Sequence, residues 1–184
     1  MALLSATVLI VAALCLVNLV LVLGILRRLR EHAERLDEHH SGHGGQRDEP
    51  MASVDSTVQE FTAVAADGTA LSRGWLDGVV LVGFFSLSCK PCRDFLPRFV
   101  EAASRHPGGR ARTLAVVVGA SDEAAAPFVA ALRPVATLIR EGEQGPTMNA
   151  FGVRGFPAFA LVEEQGRIRA SAFDVESLPA VTTP

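Results

Sequence analysis

The sequence lacks tyrosine altogether and has a single tryptophan, Trp75, which we expect to be a packing residue. Its formal net charge is −3, so it lacks the excess of Lys and Arg that binds nucleic acid, and no nucleic-acid partner is expected. Cysteine is also scarce, with three residues in the chain. Besides the closely spaced Cys89 and Cys92 the chain has only Cys15, which lies in an apolar stretch, so we predict no four-ligand metal site.

A long apolar run opens the chain. Residues 2–26 carry no charged side chain, and their one strongly polar residue is Asn18. As a helix this run extends about 37 Å, at about 1.5 Å per residue, which is enough to cross a hydrocarbon core about 30 Å thick. A cleaved signal peptide would have a basic start, whereas no Lys or Arg precedes Arg27. We therefore expect residues 1–26 to form a retained transmembrane anchor.

Charged and flexible sequence follows this run. Residues 27–57 are predicted to form a short charged helix and then a flexible tether rich in glycine and polar residues. His39, His40 and His43 could bind a metal ion weakly, but nothing around them fixes a coordination geometry. A solvated linker is the expectation.

Residues 58–184 have the pattern of one α/β domain. A hairpin is predicted around Asp67–Gly68, and the apolar runs Val79–Ser86 and Thr113–Val118 predict strands buried on both faces. The other predicted elements are helices at Pro91–Arg105, Glu123–Leu132, Pro146–Phe151 and Val175–Val181, and strands at Val135–Ile139, Phe156–Glu163 and Arg167–Ala172. Strands that alternate with helices predict a three-layer α/β sandwich.

Two cysteines separated by two residues follow the first of these strands. Cys89 and Cys92 stand where the strand is predicted to turn into a helix. A helix start offers unpaired N–H groups and partial positive charge, and Lys90 and Arg93 add charge nearby, so the Cys89 thiolate is favoured. Cys92 lies one turn further on and can close on Cys89 to release a mixed disulfide. The pattern predicts a redox-active disulfide that needs no bound cofactor, with Lys90 and Pro91 as the residues that tune the cysteine pKa values.

The sequence around the pair resembles the thioredoxin superfamily, and more narrowly the membrane-anchored TlpA-like thiol–disulfide oxidoreductases. The thioredoxin-like accessory proteins of methylamine dehydrogenase maturation are similar in the same way. Four features carry the resemblance: the anchor with its tether, a leading hairpin that ends in Leu71–Gly78, the segment Phe84–Pro97 with the cysteines and a helix proline, and Phe151–Ile168 with its Gly-Phe-Pro triplet.

The resemblance implies a thioredoxin-like fold with a hairpin extension, and exchange of disulfides with protein thiols and disulfides, in what we expect to be a monomer. It implies that Cys89 attacks the target and Cys92 resolves the product. It also implies that Phe156–Pro157 is a cis peptide that faces the cysteines and pairs with the substrate chain, a position where proline is physically suited to the cis form.

Two observations give opposite indications of the side of the membrane on which the redox domain lies. Arg27, Arg28 and Arg30 lie just after the apolar run, which favours a cytoplasmic domain by the positive-inside rule. The TlpA-like resemblance implies an extracytoplasmic domain, where disulfides persist. We expect a single-pass membrane protein whose redox domain is extracytoplasmic.

Several positions depart from the family pattern. Ser88 stands where thioredoxins usually have Trp, Gly83 where thioredoxin has a buried acid, and Phe95 where many TlpA-like proteins have Glu. Asp94 is adjacent but points elsewhere on the helix. With no carboxylate at either position, deprotonation of Cys92 is left to water. The departures do not decide between reductase, oxidase and isomerase activity.

Other functions of the same fold stay open. A peroxide-reducing redoxin usually has Pro and Thr ahead of a lone peroxidatic cysteine, and Phe85–Ser88 supplies neither. A copper carrier would bind the metal through both thiolates and a later histidine, but no histidine follows His106. A non-catalytic docking module would have no need of two intact cysteines.

Overall fold

The computed structural model describes residues 49–181. The anchor predicted at residues 1–26 and most of the helix and tether predicted at residues 27–57 lie outside these residues. Within the described part of the chain, no helix has the length and apolar character that crossing a membrane requires.

The folded domain begins earlier than Val58, the residue from which it was predicted. Met51 is fully buried, and the N–H of Ala52 donates to the carbonyl oxygen of Phe151 at 3.0 Å. The N–H of Asp55 donates to the carbonyl oxygen of Ile168 at 2.8 Å. The residues from 50 onward, which the prediction assigned to the tether, therefore pack against the domain.

A two-stranded hairpin comes first, as predicted. Strands β1 (Thr62–Val64) and β2 (Ala70–Ser72) pair antiparallel. Asp67 stabilises the turn between them, because its Oδ1 accepts a hydrogen bond from the N–H of Thr69 at 3.0 Å. Gly68 has φ +89°, which suits glycine at this point of a tight turn.

Five strands form the central sheet in the order β5-β4-β3-β6-β7. Their ranges are Val80–Ser86 for β3, Thr113–Val118 for β4, Thr137–Glu141 for β5, Ala158–Glu163 for β6 and Arg167–Ala172 for β7. β3, β4 and β5 are parallel to one another, while β6 is antiparallel to both β3 and β7. Every residue of β3 and β4 is buried, which explains their uninterrupted apolar sequences.

Helices cover one face of the sheet. They are α1 (Lys90–Arg105), which contains Pro97, and α2 (Asp122–Leu132). On this face Phe99 of α1 and Phe128 of α2 pack in one buried cluster with Phe85 of β3. The alternation of side chains along β3 sends its neighbour Phe84 to the other face.

The hairpin and a short helix, α3 (Pro146–Ala150), cover the opposite face. Phe151, just after α3, packs against Phe61 at 6.1 Å and against Phe84 at 5.1 Å between ring centroids. Helices, sheet, and hairpin with α3 form three layers, so the predicted α/β sandwich is confirmed.

Several predicted elements have other bounds in the structure, among them the strand predicted at Phe156–Glu163, which starts at Ala158. The helix predicted at Val175–Val181 is wrong: only a 3-10 turn, Val175–Ser177, forms, and Leu178 is extended at φ −74° and ψ 144° because the next residue is proline. The strand predicted from Val135 starts at Thr137, because the N–H groups of Val135 and Ala136 both donate to the carbonyl oxygen of Leu132 at the end of α2.

Candidate active site

Cys89 is the N-cap residue of α1. Its backbone is extended, with φ −88° and ψ 112°, and its Sγ accepts a hydrogen bond from the N–H of Cys92 at 3.2 Å. A sulfur therefore takes the place that a Ser or Asp oxygen usually occupies at a helix start. The unpaired N–H groups at the start of the helix and the positive end of its dipole lie beside that sulfur. Cys89 is partly exposed, so this sulfur is open to a substrate.

Cys92 is fully buried behind Cys89. Its Sγ accepts a hydrogen bond from the N–H of Ser86, at the end of β3, at 3.4 Å. Burial, followed by the interaction with the Cys89 sulfur, raises the pKa of the Cys92 thiol to about 12. Both cysteines are free thiols. The pair is therefore asymmetric: the Cys89 sulfur is accessible, and the Cys92 sulfur is buried and protonated.

The residues between the cysteines are exposed. Lys90 and Pro91 occupy the first turn of α1, where a proline loses no helical hydrogen bond because the first N–H groups are unpaired anyway. Arg93 donates from Nη2 to the carbonyl oxygen of Leu87 at 3.5 Å. The roles of Lys90 and Pro91 in tuning the cysteines stay predictions.

Phe156 and Pro157 lie beside the same end of the sheet. The peptide bond between them is cis, as predicted. Phe84 of β3 pairs with Ala158 of β6, which places Phe156–Pro157 next to the end of β3 that leads into Cys89. Pro157 is buried and Phe156 half-buried. The fold thus brings together two predicted site segments that are far apart in the sequence.

The sequence analysis missed an aromatic residue at this edge. Phe173, which follows β7, is 42% exposed. Its ring covers Gly155, where a Cβ atom would lie 3.0 Å from the ring carbon Cε1. No local pattern indicated this contact, because it joins two loops that only the sheet brings together.

An ion-pair cluster next to the site was also missed. Arg98 of α1 lies over the Phe95 ring, with its guanidinium carbon 5.2 Å from the ring centroid. It pairs with Asp174 at 3.3 Å and with Glu176 at 3.6 Å. The i,i+3 spacing of Phe95 and Arg98 was visible in the sequence. The acidic partners of Arg98 were not, because they come from the turn after β7. The cluster ties the active-site helix to the end of the domain.

The positions that depart from the family pattern are occupied as follows. A Cβ atom at Gly83 would lie 2.6 Å from Cε2 of the Phe99 ring, so an apolar ring fills the space above this residue. Phe95 is half-buried against the cluster that contains Cys92. Ser88 is exposed, and its hydroxyl oxygen lies 3.0 Å from that of Ser86. None of these residues offers a carboxylate.

One surface cleft, of about 390 Å³, lies near the start of β3 rather than its end, and it is lined by Gly78, Val79, Glu163, Glu164, Gln165 and Arg167. Among residues 49–181, no group of three or more His, Cys, Asp or Glu side chains could hold a metal ion. Of the pair, Cys89 reaches the surface, an arrangement that suits a macromolecular substrate.

Comparison with known proteins places the fold. No protein-family model and no curated protein matches the sequence. Among solved structures, the thioredoxin domain of a thiol–disulfide oxidoreductase from Bacteroides vulgatus matches with a TM-score of 0.52 and 17% identity, over 68% of this chain and 91% of that chain. A thiol:disulfide interchange protein from a Bacteroides species matches with a TM-score of 0.52 and 18% identity, over 65% of this chain and 80% of that chain.

A third similar structure comes from another bacterium. It is a secreted disulfide oxidoreductase of Mycobacterium tuberculosis, homologous to DsbE of Escherichia coli, with a TM-score of 0.51 and 18% identity over 65% of this chain and 87% of that chain. At such identities the likeness establishes the fold alone. The domain therefore has a thioredoxin fold, as the resemblance implied.

Proposed function

We propose that this thioredoxin-fold chain is a thiol–disulfide oxidoreductase that exchanges disulfides with protein substrates. The main observation behind the proposal is the asymmetry of the pair. The Cys89 sulfur accepts a hydrogen bond from the N–H of Cys92 at the start of α1, and the Cys92 thiol is buried behind it. The Phe156–Pro157 segment, which the pairing of β6 with β3 places beside the cysteines, supports the proposal. So does the fold, because similar structures bear the names of thiol–disulfide oxidoreductases.

The chemistry has two steps. The Cys89 thiolate attacks one sulfur of a substrate disulfide, so that a Cys89–substrate bond forms and the other substrate sulfur leaves with the electron pair. Cys92 then loses its proton and attacks Cys89, which releases the first substrate sulfur and leaves a Cys89–Cys92 disulfide. The substrate is reduced and the protein is oxidised, and the reverse sequence oxidises a dithiol. Phe156 and Pro157 shape the surface on which the substrate chain lies.

The proposal includes a membrane tether. Residues 1–26 would anchor the protein, residues following them would link the anchor to the domain, and the domain would lie outside the cytoplasmic membrane. The apolar run and the resemblance to TlpA-like proteins, among them the accessory proteins of methylamine dehydrogenase maturation, support this arrangement. Labelling of Cys89 in intact cells by a membrane-impermeant maleimide, after mild reduction, tests it. Protection of Cys89 until lysis would mean that the domain faces the cytoplasm.

Insulin reduction by the full-length protein tests the activity. We expect turnover with dithiothreitol as reductant, and loss of the rate above background in Cys89→Ser. Cys15→Ser is the matched control, because it removes a cysteine that lies outside the proposed pair and is expected to keep the full rate. Equal rates for the wild type and Cys89→Ser would refute the assignment.

A further inference from the structure

Across the residues that the structure describes, no carboxylate or imidazole interacts with the Cys92 sulfur. Its interactions within residues 49–181 are with the N–H of Ser86, at 3.4 Å, and with the Cys89 sulfur. The N–H group is a donor, and the Cys89 sulfur is already bonded to substrate when Cys92 has to react. Cys92 therefore faces its own step of the proposed reaction with no base to receive its proton.

The buried core to which Cys92 belongs is apolar and rich in phenyl rings. Cys92 belongs to the same buried cluster as Phe85, Phe99 and Phe159. The Phe99 ring stacks on Phe159 at 5.6 Å and meets Phe85 edge-on at 5.3 Å between centroids. It also lies over Gly83, leaving no room there for a Cβ, let alone a carboxylate. The core therefore supplies no base, and the proton of Cys92 can leave only toward the solvent side, where the partly exposed Cys89 lies.

The charged groups on the elements around Cys92 do not supply the acceptor. Lys90 and Arg93 on α1 are cations and exposed. Asp94 is exposed, and at two residues beyond Cys92 it lies on another face of the helix. Asp174, after β7, is held by Arg98 and by the N–H of Glu176. The adjoining residues of β3 and β6, Gly83–Ser86 and Pro157–Ala160, carry no titratable side chain.

From this geometry we infer that the protein holds its substrate as a long-lived mixed disulfide on Cys89, which Cys92 resolves only as hydroxide in the solvent removes its proton. The inference rests on the proposed function and deepens it. In the resolving step the Cys92 proton passes to hydroxide, a Cys92–Cys89 bond forms, and the Cys89–substrate bond breaks with the electron pair on the substrate sulfur. The cysteine pair is oxidised and the substrate sulfur is reduced.

The rate of resolution depends on the acidity of Cys92. When Cys89 is bonded to substrate, burial still raises the pKa of the Cys92 thiol above that of an ordinary thiol, so Cys92 supplies less thiolate at neutral pH. The greater nucleophilicity of this thiolate recovers only part of the loss, because the Brønsted slope is about 0.4–0.5. Resolution is therefore expected to be slower than with an ordinary thiol in the same place.

The experiment follows the adduct directly. Reduced full-length protein carrying Cys15→Ser is mixed with excess glutathione disulfide, quenched with acid at intervals, and analysed by intact mass at several pH values from 6 to 8. We expect the singly glutathionylated protein to become the main species before the oxidised protein forms. Its decay should accelerate about tenfold for each pH unit, because the thiolate fraction rises by that factor below the pKa of Cys92.

A pair of variants tests the cause. Phe95 lies one turn beyond Cys92 on the same face of α1, so Phe95→Glu places a carboxylate within reach of the Cys92 sulfur, and Phe95→Gln is the neutral control. We expect the adduct of Phe95→Glu to decay at least tenfold faster at pH 7, with a weaker dependence on pH. Phe95→Gln should behave as the wild type.

The outcomes separate this inference from the proposed function. Cys92→Ser should accumulate the adduct because it lacks the resolving thiol, and its failure to do so would refute the proposed function itself. If that adduct forms but the wild-type adduct decays at a rate independent of pH, an internal acceptor exists and the inference is wrong. A Phe95→Glu variant no faster than Phe95→Gln would also overturn it.

Discussion

The contact between Gly83 and Phe99 provides the sharpest stability prediction. Gly83 lies in β3 and Phe99 in α1, and both are fully enclosed by the core. A Cβ atom at Gly83 would lie 2.6, 2.8 and 3.0 Å from three carbons of the Phe99 ring, well inside van der Waals contact. The ring has little freedom to yield, because it packs against Phe85 and Phe159. Gly83→Ala should therefore destabilise the domain by about 1–3 kcal/mol, the usual cost of overpacking a core.

The assay is urea unfolding of the full-length protein, monitored by far-UV circular dichroism. Gly142→Ala is the matched control, because a Cβ there meets nothing within 4 Å and φ is not positive, so its stability should stay the same or rise by up to about 1 kcal/mol. Adding Phe99→Leu to Gly83→Ala should cost less than the sum of the two single changes, since the smaller side chain relieves the clash. A Gly83→Ala protein as stable as the wild type, or strictly additive costs, would refute this account of the packing.

The remaining predictions concern the pair, the ion-pair cluster and the hairpin. Iodoacetamide at pH 8 should alkylate Cys89 and spare Cys92, because Cys92 is inaccessible and its burial raises its pKa to about 12. Peptide mass mapping checks this, and modification of Cys92 in the folded protein would contradict it. Arg98→Ala should cost about 0.5–1 kcal/mol by urea unfolding, a small value because its pairs with Asp174 and Glu176 are largely exposed; a loss above about 3 kcal/mol would show that these contacts matter more. Hydrogen bonds from Thr69, followed by the Arg110 guanidinium, lower the pKa of Asp67 from 3.8 to about 2. The ionised Asp67 therefore stabilises the domain fully above about pH 4, and this stabilisation is lost as the pH falls through about 2. The difference in stability between the wild type and Asp67→Asn should vanish below that pH. A difference that persisted at about pH 1.5 would show that it does not arise from the Asp67 charge.

The central strands and the position of the cysteine pair could be predicted from the sequence, because both depend on local patterns. β3 and β4 are buried along their whole length, and this makes them continuous apolar runs. Cys89 and Cys92 follow β3 directly, so their place at the start of α1 needed no long-range information. The cis form of Phe156–Pro157 came from the family resemblance rather than from spacing.

Other features depended on contacts between distant segments. Met51 stands in a polar stretch that suggests a tether, yet it is buried because the hairpin, α3 and β6 create a core beside it. The reason for a glycine at position 83 is a ring on α1, and the acidic partners of Arg98 lie in the turn after β7. The error at Val175–Val181 was of another kind, since Pro179 was visible and should have ended the predicted helix.

Direct trapping of the nucleophile tests the central claim, that Cys89 is the sulfur that attacks. The full-length protein with Cys15→Ser and Cys92→Ser retains Cys89 as its one thiol and can be incubated with native, disulfide-bonded insulin or glutathione disulfide at pH 7. We expect one stable adduct per chain, located at Cys89 by peptide mass mapping and released by dithiothreitol. Absence of an adduct, while the same reagent modifies the urea-unfolded protein, would contradict the account.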